Sequence, residues 1–246
     1  MRKPKTTRSR NPEATRAAIL KAALREFAEE GLDGARIDHI ARAAGVNKAL
    51  LYYYFQDKEA LYAAVLESVM ANLFSRLNVA LDPELSPCDQ VLSYAKAHFD
   101  YIASAPHYPI LLQREMMRAG RKTSTPLTRI FTRYGRPFYQ RFTAMVLEGI
   151  QRGDFRPVDP EQVVGSVIGV VVFYFVSAPV HRIVRRVDPL APKQLAARRN
   201  AMLDFIAHAL FAFDKDKKET TPGIPRPIRT TRVSRTKTLP KRQILL

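Results

Sequence analysis

The segment from Arg36 to Lys58 constrains the chain most, because it sets two helix signals around a single glycine. Ile37, Ile40, Ala41 and Ala44 fall at i, i+3, i+4 and i+7, one apolar stripe of a 3.6-residue period. Gly45 follows, and glycine accepts the left-handed backbone with which many helices end. Asn47 then serves as a side-chain N-cap for a second helix beginning at Lys48. Val46 and Leu51 hold the N′ and N4 positions of a hydrophobic staple across that cap. On the second helix Leu51 and Phe55 share the side that must pack inward. Ala49, Leu50 and Tyr53 therefore turn outward, with Lys48, Tyr52 and Tyr54 at their flanks. A short helix that shows leucine and tyrosines beside lysine to solvent offers a surface to a partner. Two short helices across a glycine turn, the second facing outward, make the layout of a helix-turn-helix DNA reader. An ordinary helical hairpin with tyrosines at the rim of a core is the alternative.

A further helix precedes this pair. Asn11 caps it, Pro12 suits its first position, and Glu13 favours the positive end of its dipole. Leu20, Ala23, Leu24 and Phe27 form its apolar line, and Gly31 closes it. Taken together, Ile19, Ala23, Phe27, Gly31, Ile40-Ala41, Ala44-Gly45-Val46, Leu51-Tyr52, Phe55 and Asp57-Lys58 make residues 13–66 resemble the N-terminal domain of the TetR family of transcriptional repressors. The resemblance implies that the helix from Lys48 lies in the DNA major groove and that Tyr53 and Lys58 bind phosphates. The family commonly has threonine or serine where Arg36 stands and histidine where Tyr54 stands, so Arg36 is free to reach a phosphate instead of capping. By side-chain chemistry Lys48 suits guanine, Leu50 a thymine methyl, and Tyr52 a base or a sugar. Arg36, Tyr53, Tyr54 and Lys58 suit phosphates, which fix register without conveying sequence. Asn47 and Ala49 complete the expected DNA-binding set.

Beyond this head, Asp57 caps a long helix through Leu61, Val65, Val69 and Leu73, stopped near Leu81 by Asp82-Pro83. Further helices are expected near 87–104, 108–119, 126–152, 160–187 and 192–213, separated by proline, glycine and aspartate clusters. No segment alternates with period two and there is no internal repeat, so the expected fold is all-α. Residues 163–180 carry no charge, which makes a membrane span the rival reading, and Gly165 and Gly169 have GxxxG spacing. The run is short, holds Ser166, Ser177 and Pro179, and has no second apolar span to accompany it. A helix buried at once by its own domain and by a second subunit explains it better. The two glycines would then admit a partner helix, in line with the family's habit of dimerising through its last two body helices.

Charge is concentrated at the ends. Residues 1–10 hold five Lys/Arg and no acid, and residues 214–246 hold ten against three acids, so the two ends carry +12 of the formal +17. Such basic ends attract phosphate without reading sequence, and their binding weakens steeply with salt. The arm at 1–10 abuts the head and is placed to enter a neighbouring groove; the tail has solvation as its equal alternative. Pro222, Gly223, Pro225 and Pro227 leave the tail no apolar periodicity, so it is expected to be disordered. A single cysteine, Cys88, excludes an intramolecular disulfide and suits a reducing cytoplasm, and no apolar h-region follows the basic N-terminus. A cytoplasmic protein is expected.

His39, His98, His107, His181 and His208 have no metal-ligand spacing, and neither a phosphate loop, a nucleophile elbow nor a carboxylate pair is present. No metal, no cofactor and no enzymatic activity are expected. The aromatic residues of the body fit either a filled core or an apolar pocket between helices. The resemblance favours a pocket, with Tyr101, Gln113, Tyr134 and Tyr174 as its polar contacts. His98 shares a helical stripe with Val91, Ala95 and Ile102 and is a further candidate contact, with a core histidine holding one satisfied hydrogen bond as the favoured alternative.

The expectation is thus an all-α chain of four parts: a disordered basic arm (1–10), a three-helix helix-turn-helix DNA-binding domain (11–57), a larger helical ligand-binding and dimerisation domain (58–213), and a disordered basic tail (214–246). Its expected function is that of a homodimeric, sequence-specific repressor that a small-molecule effector releases from a double-stranded operator. Two rivals are a packager of nucleic acid indifferent to sequence and a small-molecule carrier or enzyme built on the helical body.

Overall fold

The computed structural model describes residues 11–119 and 126–212. The expected arm at 1–10 and tail at 214–246 lie outside the described residues. Three helices form the head: α1 (Pro12–Gly34), α2 (Ile37–Ala43) and α3 (Lys48–Phe55). The rest is α4 (Lys58–Ala80), α5 (Pro87–Ser104), α6 (His107–Ala119), α7 (Pro126–Ile130), α8 (Arg136–Gln151), α9 (Pro160–Val176), α10 (Ala178–Arg185) and α11 (Pro192–Leu210).

The N-termini follow their caps. Side-chain oxygens of Asn11, Asn47, Asp57, Ser86 and Asp159 each accept a backbone N–H in the first turn of the helix they precede. Gly31 breaks α1, with φ 73°, and the last turn to Gly34 leaves in a new direction. A side chain at Gly31 would be strained by that φ and would meet the Arg114 guanidinium at 2.8 Å. Arg36 provides no side-chain cap for α2. Glu26 on α1 instead accepts the Arg36 N–H at 2.9 Å, which ties the start of α2 to the first helix.

Three of the expected helices differ from those found, each for a backbone reason. The helix expected over 126–152 is interrupted by a π-helical turn at Phe131–Gly135. Pro137 lacks the N–H that would bond the Arg133 carbonyl, and its ring crowds that carbonyl, so the ladder widens one turn earlier. Gly135 completes the device, since a Cβ there would come within 2.7 Å of the Phe131 ring. The helix expected over 160–187 bends by 61° between α9 and α10. Pro179 removes a second ladder donor, and the Ser177 hydroxyl bonds the Phe173 carbonyl at 2.7 Å at the break. The last helix stops at Leu210, because Phe211 leaves it to form an isolated β-bridge with Phe155. That bridge is the single β pairing among the described residues. No single helix there is long and apolar enough to cross a membrane.

Helix α4 is common to two parts of one continuous core. Leu61, Tyr62, Val65 and Leu66 sit on α1 and its neighbours, while Met70, Leu73, Phe74 and Leu77 sit among the body helices, and all are buried. Phe27 of α1 is fully buried and meets the Tyr62 ring edge-on, centroids 5.0 Å apart. Phe27→Ala removes the ring at this junction and should cost about 3–5 kcal/mol, read as a lower urea midpoint with an unchanged slope.

Candidate nucleic-acid interface and effector cavity

Helix α3 has two anchors. Leu51 and Phe55 are buried, and the Arg16 guanidinium lies 5.3 Å from the Phe55 ring centroid. Gly45 has φ 66°, the left-handed turn that lets α3 leave α2 sharply. Asn47 is spent on its cap, its Oδ1 accepting the Leu50 N–H at 2.8 Å. The outer side of α3 then shows Lys48, Ala49, Tyr52 and, at 81% exposure, Tyr53, while Leu50 and Tyr54 are half-buried. The Tyr53 and Tyr54 rings meet edge-on at 5.5 Å, which limits their rotamers before any partner arrives.

Two of the expected phosphate or base contacts have intramolecular partners. The Lys48 ammonium lies 3.2 Å from the Asp38 carboxylate, both exposed, an ion pair that solvent screens and a stronger anion can displace. Lys58 donates to the backbone carbonyls of Asp33 at 3.1 Å and Ala35 at 3.0 Å. Its ammonium therefore ties α4 to the turn before α2, with one of its three donors left for another acceptor. Arg36 is exposed at the start of α2, its backbone held by Glu26.

A cavity of about 580 Å³ opens in the body between α4, α5, α6, α8 and α9. Leu73, Phe74, Leu112, Met116, Phe138 and Val172 give it apolar walls, and Gly165 and Gly169 of α9 border it as well. His98 lines it, with Nδ1 3.0 Å from the Tyr94 hydroxyl and Nε2 without a partner. Burial pushes the His98 imidazole down to about 4 and the Tyr94 and Tyr108 phenols up. Gln113 also lines the cavity, from an exposed position on α6. The other three expected contacts do not line it. Tyr101 donates to the Val69 carbonyl at 3.0 Å, Tyr134 to Glu67 at 3.3 Å and Tyr174 to the Pro189 carbonyl at 2.7 Å. These hydroxyls stitch helices and loops together, a use that helical periodicity alone does not separate from lining a pocket. Among the described residues no three His, Cys, Asp or Glu side chains converge to hold a metal ion.

Helix α6 joins the cavity wall to the head. Arg114 donates to the Glu29 carbonyl at 2.9 Å beside the Gly31 break. Glu115 is completely buried; its Oε2 accepts the Tyr62 hydroxyl at 3.0 Å and lies 3.7 Å from Arg118. Burial first, and the Glu115 charge and hydrogen bond next, push the Tyr62 phenol up.

Residues 19–65 match the family described as bacterial regulatory proteins, tetR family, and residues 87–206 match the tetracyclin repressor-like C-terminal domain. The HTH-type transcriptional repressor SCO4008 of Streptomyces coelicolor is 39% identical over 145 residues, 59% of this chain and 69% of that one. This chain belongs to the TetR family. Among solved structures, SCO4942 from Streptomyces coelicolor superposes with a TM-score of 0.63 at 28% identity, covering 80% of this chain and 98% of that one. AibR, solved with isovaleryl coenzyme A and operator DNA, shares the fold, with a TM-score of 0.63 at 19% identity over 78% of this chain and 97% of its own.

Against the family's general layout, several residues that shape this TetR head and body carried no local signal. Asp38, Glu26, Arg114 and Glu115 act through partners distant in sequence or on another helix. The Glu115 position reads in the sequence as one more charge on an amphipathic surface, and nothing nearby marks it as buried.

Two measurements test these polar contacts. Tyr62→Phe deprives buried Glu115 of its donor and should lower stability by about 1–3 kcal/mol, measured by urea unfolding at pH 7.5. The unfolded imidazole of residue 98 takes up a proton near pH 6.5, whereas the folded one does so near 4. Protons thus favour the unfolded chain, and stability should fall as pH drops from about 6.5 towards 4, by up to about 3 kcal/mol. His98→Phe should flatten that part of the stability profile relative to wild type.

Proposed function

We propose that this TetR-family chain is a homodimeric, sequence-specific DNA-binding regulator, a repressor that leaves its operator when a small molecule occupies the body cavity. The observation that carries this reading is α3: two buried anchors hold it while Lys48, Tyr52 and Tyr53 stand exposed on its outer side. In this reading residues 11–57 are the DNA-reading head and 58–213 the effector and dimerisation body. Helix α3 enters the major groove, where Lys48 exchanges Asp38 for guanine and Leu50 meets a thymine methyl. Arg36, Tyr53, Tyr54 and the remaining donor of Lys58 hold phosphates and set register; Tyr52 reaches a base or sugar, and Asn47 and Ala49 border the contact.

Dimerisation is assigned to 163–180 and 191–213. Its support is an apolar groove between α9 and α11, lined by Val163, Ser166, Val170 and Phe205, with Phe205 58% exposed. An exposed phenylalanine beside small side chains is suited to burial against a second copy. Paired heads then meet successive major-groove faces about 34–36 Å apart, or a multiple of that.

Helix α6 gives the effector its route. One side of it lines the cavity through Leu112, Gln113 and Met116, and its Arg114 and Glu115 hold α1 and α4. A ligand that shifts α6 moves the head, and its leverage is its differential affinity for the two arrangements. A hundredfold difference supplies about 2.7 kcal/mol.

The test begins with genomic fragments captured by the purified protein and footprinted, where a palindrome reports the dimer. On that operator the Lys48→Ala, Tyr53→Ala double variant should bind at least about thirtyfold more weakly while melting like wild type. Undiminished binding would overturn the head assignment, and equal competition by unrelated DNA at moderate salt would favour a sequence-indifferent packager.

A further inference from the structure

The cavity has a chemical signature narrower than its size. Its volume of about 580 Å³ is that of a small-molecule site. Every described side chain lining it is uncharged; no lysine, arginine, aspartate or glutamate is among them. An ionised group carried inside would lose its hydration and find no countercharge among the described lining residues, which is heavily penalised. Tyr94, Tyr108, Gln113 and Tyr139 are polar but neutral, and Tyr139 already donates to the Glu161 carbonyl while Gln113 stands exposed.

Among the described residues that line the cavity, one buried side-chain polar atom is recorded without a partner. His98 is almost wholly buried on α5, and its Nε2 has no protein partner. Tyr94 is fully buried, and among the described residues His98 Nδ1 is the partner recorded for its hydroxyl. The phenol has a single proton, and donating it to Nδ1 satisfies both groups; the other tautomer would leave that proton without an acceptor. The ring proton then resides on Nε2, a buried donor waiting for an acceptor. Because a desolvated donor without a partner is costly, a ligand that supplies the acceptor gains that difference on binding.

We propose that the cavity binds an uncharged, largely apolar molecule bearing a ketone, ester or similar carbonyl, whose oxygen accepts a hydrogen bond from His98 Nε2. This rests on the reading of the cavity as an effector site and names the class of effector. Met116 and Met117, both exposed beside the cavity, supply unbranched, polarizable side chains that adapt to the length and shape of the apolar part.

The experiment uses the full chain and three probes of equal chain length: 2-dodecanone, kept below its solubility limit, and dodecanoate and dodecylammonium, each kept below its micellar concentration. Isothermal titration at pH 7.5 should show the ketone binding at least about tenfold more tightly than either ion. His98→Phe should weaken the ketone about tenfold while leaving the ions unchanged, and His98→Gln, which keeps a donor, should recover part of the loss. If a substituted chain fails to fold, the order of the three probes on the wild type decides. An ion that binds as tightly as the ketone, or a folded His98→Phe chain with undiminished ketone affinity, overturns the assignment and leaves the effector reading standing. A ketone that binds through His98 yet leaves operator affinity unchanged supports the assignment and defeats the effector reading. Absence of binding by all three probes overturns the assignment.

Discussion

The long buried face of α4 is the constraint on which the other relations depend. From Leu61 to Leu77 this helix supplies side chains first to the junction with α1 and then to the body, so neither part of the core is complete without it. Its start is fixed twice, by the Asp57 cap on the Ala60 N–H and by Lys58 on the carbonyls of Asp33 and Ala35. A rigid rod so tied cannot shift at one end without disturbing the other, because packed interiors resist continuous deformation. Whatever biases α4 or its neighbours in the body therefore bears on the position of α3.

Helix α6 reinforces that linkage with polar groups. Tyr62 and Arg118 answer the Oε2 of the buried Glu115 carboxylate while its Oε1 has no hydrogen-bond partner, and breaking such an arrangement leaves a charged group still less compensated. The same short helix forms one wall of the cavity and, through Arg114, grips α1 where Gly31 has already interrupted it. An apolar wall on one side and specific hydrogen bonds on the other give α6 two different kinds of contact. The first kind of contact borders the cavity, and the second ties α6 to α1 and α4.

The cavity itself owes its form to backbone irregularities. Pro137 and Gly135 generate the π-helical turn that sets Phe131 and Phe138 around the opening, and the glycines of α9 leave a smooth stretch of wall where side chains would have filled the space. These features keep the space open, and His98 with Tyr94 sets a buried polar pair in its wall.

Much of this was legible in the residues. The 3.6-residue stripes, the caps at Asn11, Asn47 and Asp57, and Gly45 determined the helical class, the head and the outward side of α3, because each is a local preference expressed within one or two turns. The breaks at Pro137 and Pro179 were also written there, but apolar periodicity continued through both and hid them. Tertiary structure alone decided which polar groups meet. It placed Asp38 on Lys48, turned Lys58 inward to two carbonyls, spent the hydroxyls of Tyr101, Tyr134 and Tyr174 on structural bonds, and left His98 Nε2 unanswered beside a cavity. The physical reason is range: helix formation and capping are settled by near neighbours along the chain, whereas pairing, burial and empty space depend on helices that approach only after the chain has folded.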